Sequence, residues 1–167
     1  MFKKRILFLV LIIFTIGMVG CTKKENPSES ALAFKKDYEA INNTENKSGK
    51  IHRAITIPEN NPYEEITTEK LLEKIQNKDT FYVYFGSRLC PWCRSVIEKA
   101  TAVANSKKIE KIYYIDIWDD EGSEILRDKY VLEDKELTKT IDGTKDYYTL
   151  LELFANVLSD YTLTNED

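Results

Sequence analysis

One stretch decides the fold of this chain: Phe81-Tyr82-Val83-Tyr84-Phe85-Gly86-Ser87-Arg88-Leu89-Cys90-Pro91-Trp92-Cys93. Its first five residues are aromatic or β-branched, a composition typical of a strand that is buried on both faces. Gly86 and Ser87 end this run, and Cys90 and Cys93 follow at C-x-x-C spacing. The stretch therefore predicts a buried strand that leads directly into a pair of cysteines.

A helix is predicted immediately after the turn. Pro91 suits the first turn of a helix, where a backbone N–H would be unpaired in any case. The residues beyond it repeat with helical spacing and predict one apolar face, formed by Val96, Ile97, Ala100, Val103 and Ala104. Cys90 is therefore expected at the helix N-terminus, with Cys93 one turn later on the same side.

This placement favours thiol chemistry. The unpaired N–H groups and the positive end of the helix dipole favour negative charge, so we expect the pKa of Cys90 to lie below its free value of about 8.5. Cys93 is close enough to close a disulfide or to resolve a mixed one. Cys90 is predicted to attack and Cys93 to resolve. Arg88 and Arg94 flank the pair, either adding positive potential or lying solvated at the rim; the sequence leaves both open.

The N-terminus predicts a targeting segment. Three basic residues, Lys3, Lys4 and Arg5, precede an apolar run over residues 6–16 that is short for a membrane span. The following Gly17-Met18-Val19-Gly20-Cys21 resembles a lipobox, with Met18 where Leu is usual. We therefore expect a lipoprotein signal peptide over residues 1–20, a lipid on Cys21, and a position at the extracytoplasmic face of the cell membrane. An uncleaved signal anchor is the alternative.

The stretch FYVYFGSRLCPWCRSVIEKA resembles the active-site strand, turn and helix of the thioredoxin superfamily. The Pro91-Trp92 pair is similar to that of glutaredoxins, and the N-terminus adds a resemblance to thioredoxin-like lipoproteins of Gram-positive bacteria, including the bacteriocin-transport-accessory group. The resemblance covers residues 80–117. It implies thiol–disulfide exchange by Cys90 and Cys93 without a cofactor or metal, and a redox potential tuned by Pro91 and Trp92.

Composition limits the partners. The chain has 24 basic and 28 acidic residues, and residues 1–20 hold three basic and no acidic ones, so the remainder carries a net charge of −7. This charge argues against nucleic acid and against electrostatic binding to an anionic membrane, which leaves the lipid as the anchor. Residues 21–49 are polar and predict a tether, in which Phe34, Tyr38 and Ile41 share a helical face that could dock on the domain.

An α/β fold is predicted around the central stretch. Residues 51–57 alternate as a strand that Pro58 ends, Thr67 or Thr68 caps a helix that ends near Asn77, and residues 112–117 form another strand. Strands and helices in this order give right-handed parallel crossovers. His52, the single histidine, is expected on the surface.

The C-terminal part departs from the resemblance. We expect a helical insertion over residues 119–160, with a short helix around 125–130 and an amphipathic helix over 147–158. A thioredoxin-like fold continues with a cis-proline before an antiparallel strand, but the prolines here are Pro27, Pro58, Pro62 and Pro91. The prediction is a partial thioredoxin-like domain over residues 50–167 that stops before that strand, with residues 81–85 at an open sheet edge. A truncated gene product, an incomplete sequence and a naturally minimal domain each explain this, and the sequence leaves all three open.

The function predicted from these features is that of a membrane-tethered, extracytoplasmic thiol–disulfide oxidoreductase with a C-P-W-C dithiol. Its partners would be protein thiols or disulfides outside the cytoplasm and an unidentified redox partner. The alternatives are a catalytically weak accessory or binding module and an inactive truncated product. A zinc site is disfavoured because one C-x-x-C supplies two of four ligands and His52 is distant in sequence.

Overall fold

The computed structural model of the chain describes residues 26–133 and 135–158. This part is a mixed α/β structure, as the sequence predicts. Its elements in chain order are α1 (Glu29–Ala40), β1 (Tyr63–Glu65), α2 (Thr68–Gln76), β2 (Val83–Gly86), α3 (Pro91–Ser106), β3 (Ile112–Asp116), β4 (Lys129–Glu133), β5 (Glu136–Ile141) and α4 (Lys145–Phe154).

A parallel sheet of three strands, in the order β1-β3-β2, forms the centre. β3 lies between the others, with Tyr63 of β1 opposite Ile112 and Tyr84 of β2 opposite Tyr114. The crossovers run through α2 and α3, as the alternation of strands and helices predicts. β2 is an edge strand within the described residues, because its only ladder is with β3.

An aromatic core lies on the face of the sheet that α1 and α3 cover. α1 begins at Ser28, whose hydroxyl accepts from the N–H of Ala31, and it buries Phe34 and Tyr38. This docked helix, which the sequence allowed, lies inside the segment expected as a tether. The buried cluster consists of Phe34, Tyr38, Ile55, Ile57, Tyr63, Ile97 and Tyr114.

Helices α2 and α4 provide an aliphatic core on the opposite face. Thr67 caps α2 by accepting from the N–H of Lys70, and α2 ends at Asn77, both as predicted. The Thr68 hydroxyl donates to the Asp146 carboxylate at 2.8 Å and so joins the starts of α2 and α4. The cluster contains Leu71, Leu72, Ile115 and Leu150, with Phe81, Val83 and Phe85 against it.

Residues 51–57 do not form the predicted strand; the first strand of the sheet is β1. They run extended over α1 and α3, and a side chain takes the place of a neighbouring strand. Asn42 Nδ2 donates to the Ile55 carbonyl at 2.8 Å, and Asn42 Oδ1 accepts from the Ile55 N–H at 3.1 Å. The surface placement of His52 is also wrong. Its side chain is only 8% exposed, and burial together with nearby Arg94 lowers its pKa.

The predicted helical insertion is wrong over most of its length. Instead of a helix around residues 125–130, β4 and β5 form an antiparallel hairpin, with Val131 opposite Thr138. β-branched residues favour this outcome, since they fit a pleated surface better than a helix. Only the last predicted helix is present, as α4, which is capped by Thr144 and ends at Phe154 rather than at residue 158. The hairpin side chains are largely exposed, so this unit lies outside both cores.

Candidate active site

Cys90 caps the N-terminus of α3, as the sequence predicts. β2 ends at Gly86, and a turn follows in which the Cys90 N–H donates to the Ser87 carbonyl at 3.2 Å. Cys90 has extended backbone angles (φ −74°, ψ 120°), and Pro91 occupies the first turn of the helix. The Cys90 Sγ accepts from the Cys93 N–H at 3.5 Å, in the position of a capping oxygen.

Cys93 lies one helical turn beyond Cys90, and both are half-buried free thiols. The pair is therefore brought together by the helix itself. Pro91 and Trp92 lie between the cysteines on the exposed side, and the Trp92 side chain is 81% exposed. The indole is therefore an exposed apolar surface next to a half-buried thiol.

The pKa of the Cys90 thiol is shifted in the opposite direction to the one that the sequence predicts. The N–H groups of Cys93 and Trp92 lower the pKa of Cys90, as a helix N-terminus should. Burial outweighs them and raises the pKa, and the neighbouring Cys93 sulfur adds to the increase. The pKa of Cys90 is therefore raised above its ordinary value in the reduced pair, whereas the sequence predicted a lowered one.

The two flanking arginines are not solvated at a rim. Arg88 lies among three carboxylates, with its Nη2 at 2.6 Å from Asp120, its Nε at 3.5 Å from Asp37 and its Nη1 at 3.9 Å from Asp116. Arg94 is only 1% exposed and faces backbone carbonyls behind the site. Neither arginine is among the groups that shift the pKa of Cys90. Through these contacts, both arginine side chains hold neighbouring segments of the chain together around the dithiol.

The predicted apolar face of α3 is shifted. Val96 and Val103 are exposed, and the buried stripe runs through Ile97, Thr101 and Ala104, with Arg94 at its start. Cys93 precedes Ile97 by four residues, so its side chain lies one turn before Ile97 on the same side of α3. Cys93 therefore lies on the side of α3 that carries the buried stripe, and Cys90 lines an open groove.

An apolar groove of about 630 Å³ opens beside Cys90. It lies where the carboxyl end of β2, the start of α3 and one side of α4 meet. The sequence predicted the amphipathic character of α4 but not that part of its apolar side would remain open next to the thiol. The lining includes Phe85, Cys90, Trp92, Trp118, Leu151 and Phe154.

The predicted lipidation site cannot be located in the fold. Cys21 and the signal segment lie outside the described residues. Within residues 26–133 and 135–158, no group of three or more His, Cys, Asp or Glu side chains is arranged to hold a metal ion. None of the helices described here is both long and apolar enough to cross a bilayer.

Comparison with known proteins assigns no relative. No family model matches the chain, and neither the curated proteins nor the solved structures contain a significant match.

Proposed function

We propose that this chain is a thiol–disulfide oxidoreductase of the thioredoxin-like type, with Cys90 as the attacking thiol and Cys93 as the resolving thiol. The observation that carries the proposal is the position of Cys90, whose sulfur caps α3 at the carboxyl end of β2 and accepts from the Cys93 N–H. A sulfur in this position is partly exposed and has its partner thiol one turn away. The parallel β-α-β arrangement around it supports the same assignment.

The proposed reaction has two exchange steps. The Cys90 thiolate attacks a substrate disulfide, forms a mixed disulfide and releases the first substrate thiolate, which takes up the proton that Cys90 lost. Cys93 then attacks the Cys90 sulfur, the bond to the substrate breaks, and the proton of Cys93 passes to the departing second thiolate. The substrate gains two electrons and the Cys90–Cys93 pair loses two. The reverse sequence oxidises a substrate dithiol, and a second thiol–disulfide couple resets the pair.

The groove beside Cys90 supports polypeptide substrates. Trp92, Trp118 and Phe154 give it an apolar wall that would cover side chains next to a substrate cysteine. The same groove would serve the alternative function, a binding module without redox turnover. We further assign the protein to the extracytoplasmic face of the membrane through lipid on Cys21, on the basis of the residues that resemble a lipobox. Disulfides persist in that compartment, which suits the proposed chemistry.

Mixed-disulfide trapping tests the assignment of the two thiols. Cys93→Ser should accumulate a covalent complex with a cysteine-containing polypeptide disulfide, because the resolving step is removed. Cys90→Ser is the matched control and should trap none. Loss of the complex on reduction would identify it as a disulfide. Equal trapping by both variants, or none by either, would contradict the proposal and favour the binding module.

Lipidation is tested separately in cells. The chain should partition with membranes and carry lipid on Cys21, and Cys21→Ala should abolish both. Mass spectrometry that finds an unmodified N-terminus at Met1 would contradict this assignment without affecting the thiol chemistry.

A further inference from the structure

Three tyrosine hydroxyls are buried behind the dithiol without partners. The oxygens of Tyr38, Tyr84 and Tyr114 make no hydrogen bond, and they are the only buried side-chain polar atoms of the described residues that lack one. A buried hydroxyl without a partner costs about 1–3 kcal/mol. Phenylalanine would fill the same space without this cost, so three such hydroxyls side by side point to a task other than packing.

The three rings belong to one cluster contributed by different elements. Tyr114 of β3 stacks on Tyr84 of β2, with ring centroids 5.8 Å apart, and meets Tyr38 of α1 edge-on at 5.9 Å. The Tyr63 ring of β1 also lies near Tyr84, with ring centroids 6.0 Å apart. The Tyr84 ring therefore packs against two aromatic neighbours, which restrict its movement.

Gly86 directs the Tyr84 side chain toward the active site. The two residues lie on the same face of β2, and a Cβ at position 86 would fall 2.6 Å from both the hydroxyl oxygen and the adjoining ring carbon of Tyr84. The phenol therefore lies along the strand, over Gly86, toward the turn that carries the cysteines. Gly86 has no positive φ, so the reason for a glycine here is the space that the Tyr84 ring occupies.

Cys93 is the reactive group that lies in the direction of the Tyr84 phenol. It lies one turn before Ile97, which is in the same core cluster, and Tyr84 packs against that cluster. The Cys93 thiol is close enough to act on Tyr84, whose pKa is raised mainly by burial and further by Tyr38 and by this thiol. The other titratable groups that face the Tyr84 ring are Tyr114 and Tyr63. Cys93 is thus the one group among these neighbours that changes its bonding during the proposed reaction.

We propose that Tyr84 is a positioning residue whose hydroxyl, unpaired beside the neutral thiols, donates a hydrogen bond to the Cys93 sulfur once that sulfur is a thiolate. The inference rests on the proposed function, because the sulfur accepts this bond best when it carries the negative charge that precedes attack on Cys90. In that step the Cys93 thiolate attacks the Cys90 sulfur, the Cys90–Cys93 bond forms, the Cys90–substrate bond breaks, and the departing substrate thiolate takes up the proton that Cys93 had released. Tyr84 keeps its own proton throughout.

The bond has a measurable consequence for the redox equilibrium. A donor that stabilises the reduced pair makes the disulfide easier to reduce. Tyr84→Phe should therefore favour the disulfide by about tenfold in its equilibrium with glutathione, measured at a pH high enough to ionise the reduced pair, since hydrogen bonds to charged groups are among the stronger ones. That factor corresponds to a potential about 30 mV more negative. In the disulfide form, where the Tyr84 hydroxyl has no sulfur anion to bind, the variant should unfold at the same denaturant concentration as the parent or at a higher one.

Two matched variants separate this role from packing. Tyr114→Phe removes an equally buried, equally unpaired hydroxyl from the same cluster and should leave the glutathione equilibrium unchanged. Gly86→Ala forces the Tyr84 ring aside and should shift the equilibrium in the same direction as Tyr84→Phe. Both are measured in full-length protein equilibrated with glutathione buffers, with the thiols quantified by alkylation and mass spectrometry.

The outcomes distinguish this inference from the function on which it rests. A Cys90–Cys93 disulfide that forms reversibly in the parent and shifts in Tyr84→Phe but not in Tyr114→Phe supports the proposal. A reversible disulfide whose equilibrium is the same in all three proteins overturns the role of Tyr84 and leaves the oxidoreductase intact. Absence of any reversible disulfide in the parent overturns both.

Discussion

The Arg94 guanidinium donates twice to the carbonyl oxygen of Arg53, through Nε at 3.0 Å and through Nη2 at 2.6 Å. It also donates to the Tyr38 carbonyl at 2.8 Å and to Asn42 Oδ1 at 2.6 Å. A single buried side chain directly after Cys93 thus joins α1, the extended segment over residues 51–57 and the start of α3. Burial lowers the pKa of Arg94, but a guanidinium remains charged in proteins.

Arg94→Lys should destabilise the protein by about 3 kcal/mol or more, because an ammonium cannot reproduce the planar fork and leaves buried carbonyls unpaired. The free energy of unfolding in urea measures the loss. Arg127→Lys is the matched control, since Arg127 is exposed and pairs only with Glu124. An equally small effect of both substitutions would show that the buried network contributes little.

Phe34→Ala tests whether α1 belongs to the folded domain rather than to a tether. The Phe34 ring stacks on Tyr63 at 4.3 Å and lies 4.5 Å from Tyr38 and 5.0 Å from Tyr114. Its removal should cost about 3–5 kcal/mol in the free energy of unfolding. Leu32→Ala, in the same helix but 41% exposed, should change it by about 0.5 kcal/mol or less. A stability unchanged by Phe34→Ala would mean that α1 does not dock in solution.

The elements that sequence predicts well carry strong local signals. Thr67 and Asn77 bound α2 at the expected residues, and Pro91 marks the start of α3. The dithiol was found for the same reason, since Cys90 and Cys93 lie on one continuous strand, turn and helix. Local sequence is enough to predict a site when one short segment contains both the helix cap and the reactive side chains.

Other features depend on contacts between distant segments. β1 has three residues and is a strand only because Tyr63 and Glu65 pair with β3. The burial of Arg94 depends on carbonyls of residues more than forty positions away, such as Arg53. The tyrosine cluster combines Tyr38, Tyr84 and Tyr114 from α1, β2 and β3. The spacing of residues within a single segment cannot predict a cluster built from several segments.

The pH dependence of Cys90 alkylation follows from the direction of its pKa shift. Because burial and the Cys93 sulfur raise the pKa, the rate should reach half its maximum above the value of about 8.5 for free cysteine. Cys93→Ala removes the second sulfur and should move that midpoint down, while the effect of burial remains. Alkylation rates mapped by mass spectrometry provide the measurement. A midpoint below that of free cysteine would show that the helix N-terminus outweighs burial.

The same shift has a consequence for stability. A thiol whose pKa is raised by folding stabilises the native state below its unfolded pKa, and this contribution is lost as the pH rises through the folded value. The reduced protein should therefore lose stability in urea as the pH is raised above about 8.5. Cys90→Ala should weaken this dependence, and an unchanged pH profile in that variant would contradict the assigned shift.

The open side of β2 predicts self-association. Within the described residues β2 pairs only with β3, and Tyr82, which precedes it, is 60% exposed. An unpaired apolar edge adds strands from other molecules, and lysine near such an edge disfavours this. Residues 22–167 should therefore associate with increasing concentration, and Tyr82→Lys should shift the equilibrium toward monomer. Val103→Lys, which adds the same charge on the exposed side of α3, should not. Sedimentation velocity measures all three proteins; a parent that stays monomeric and unfolds cooperatively would mean that another segment covers the edge.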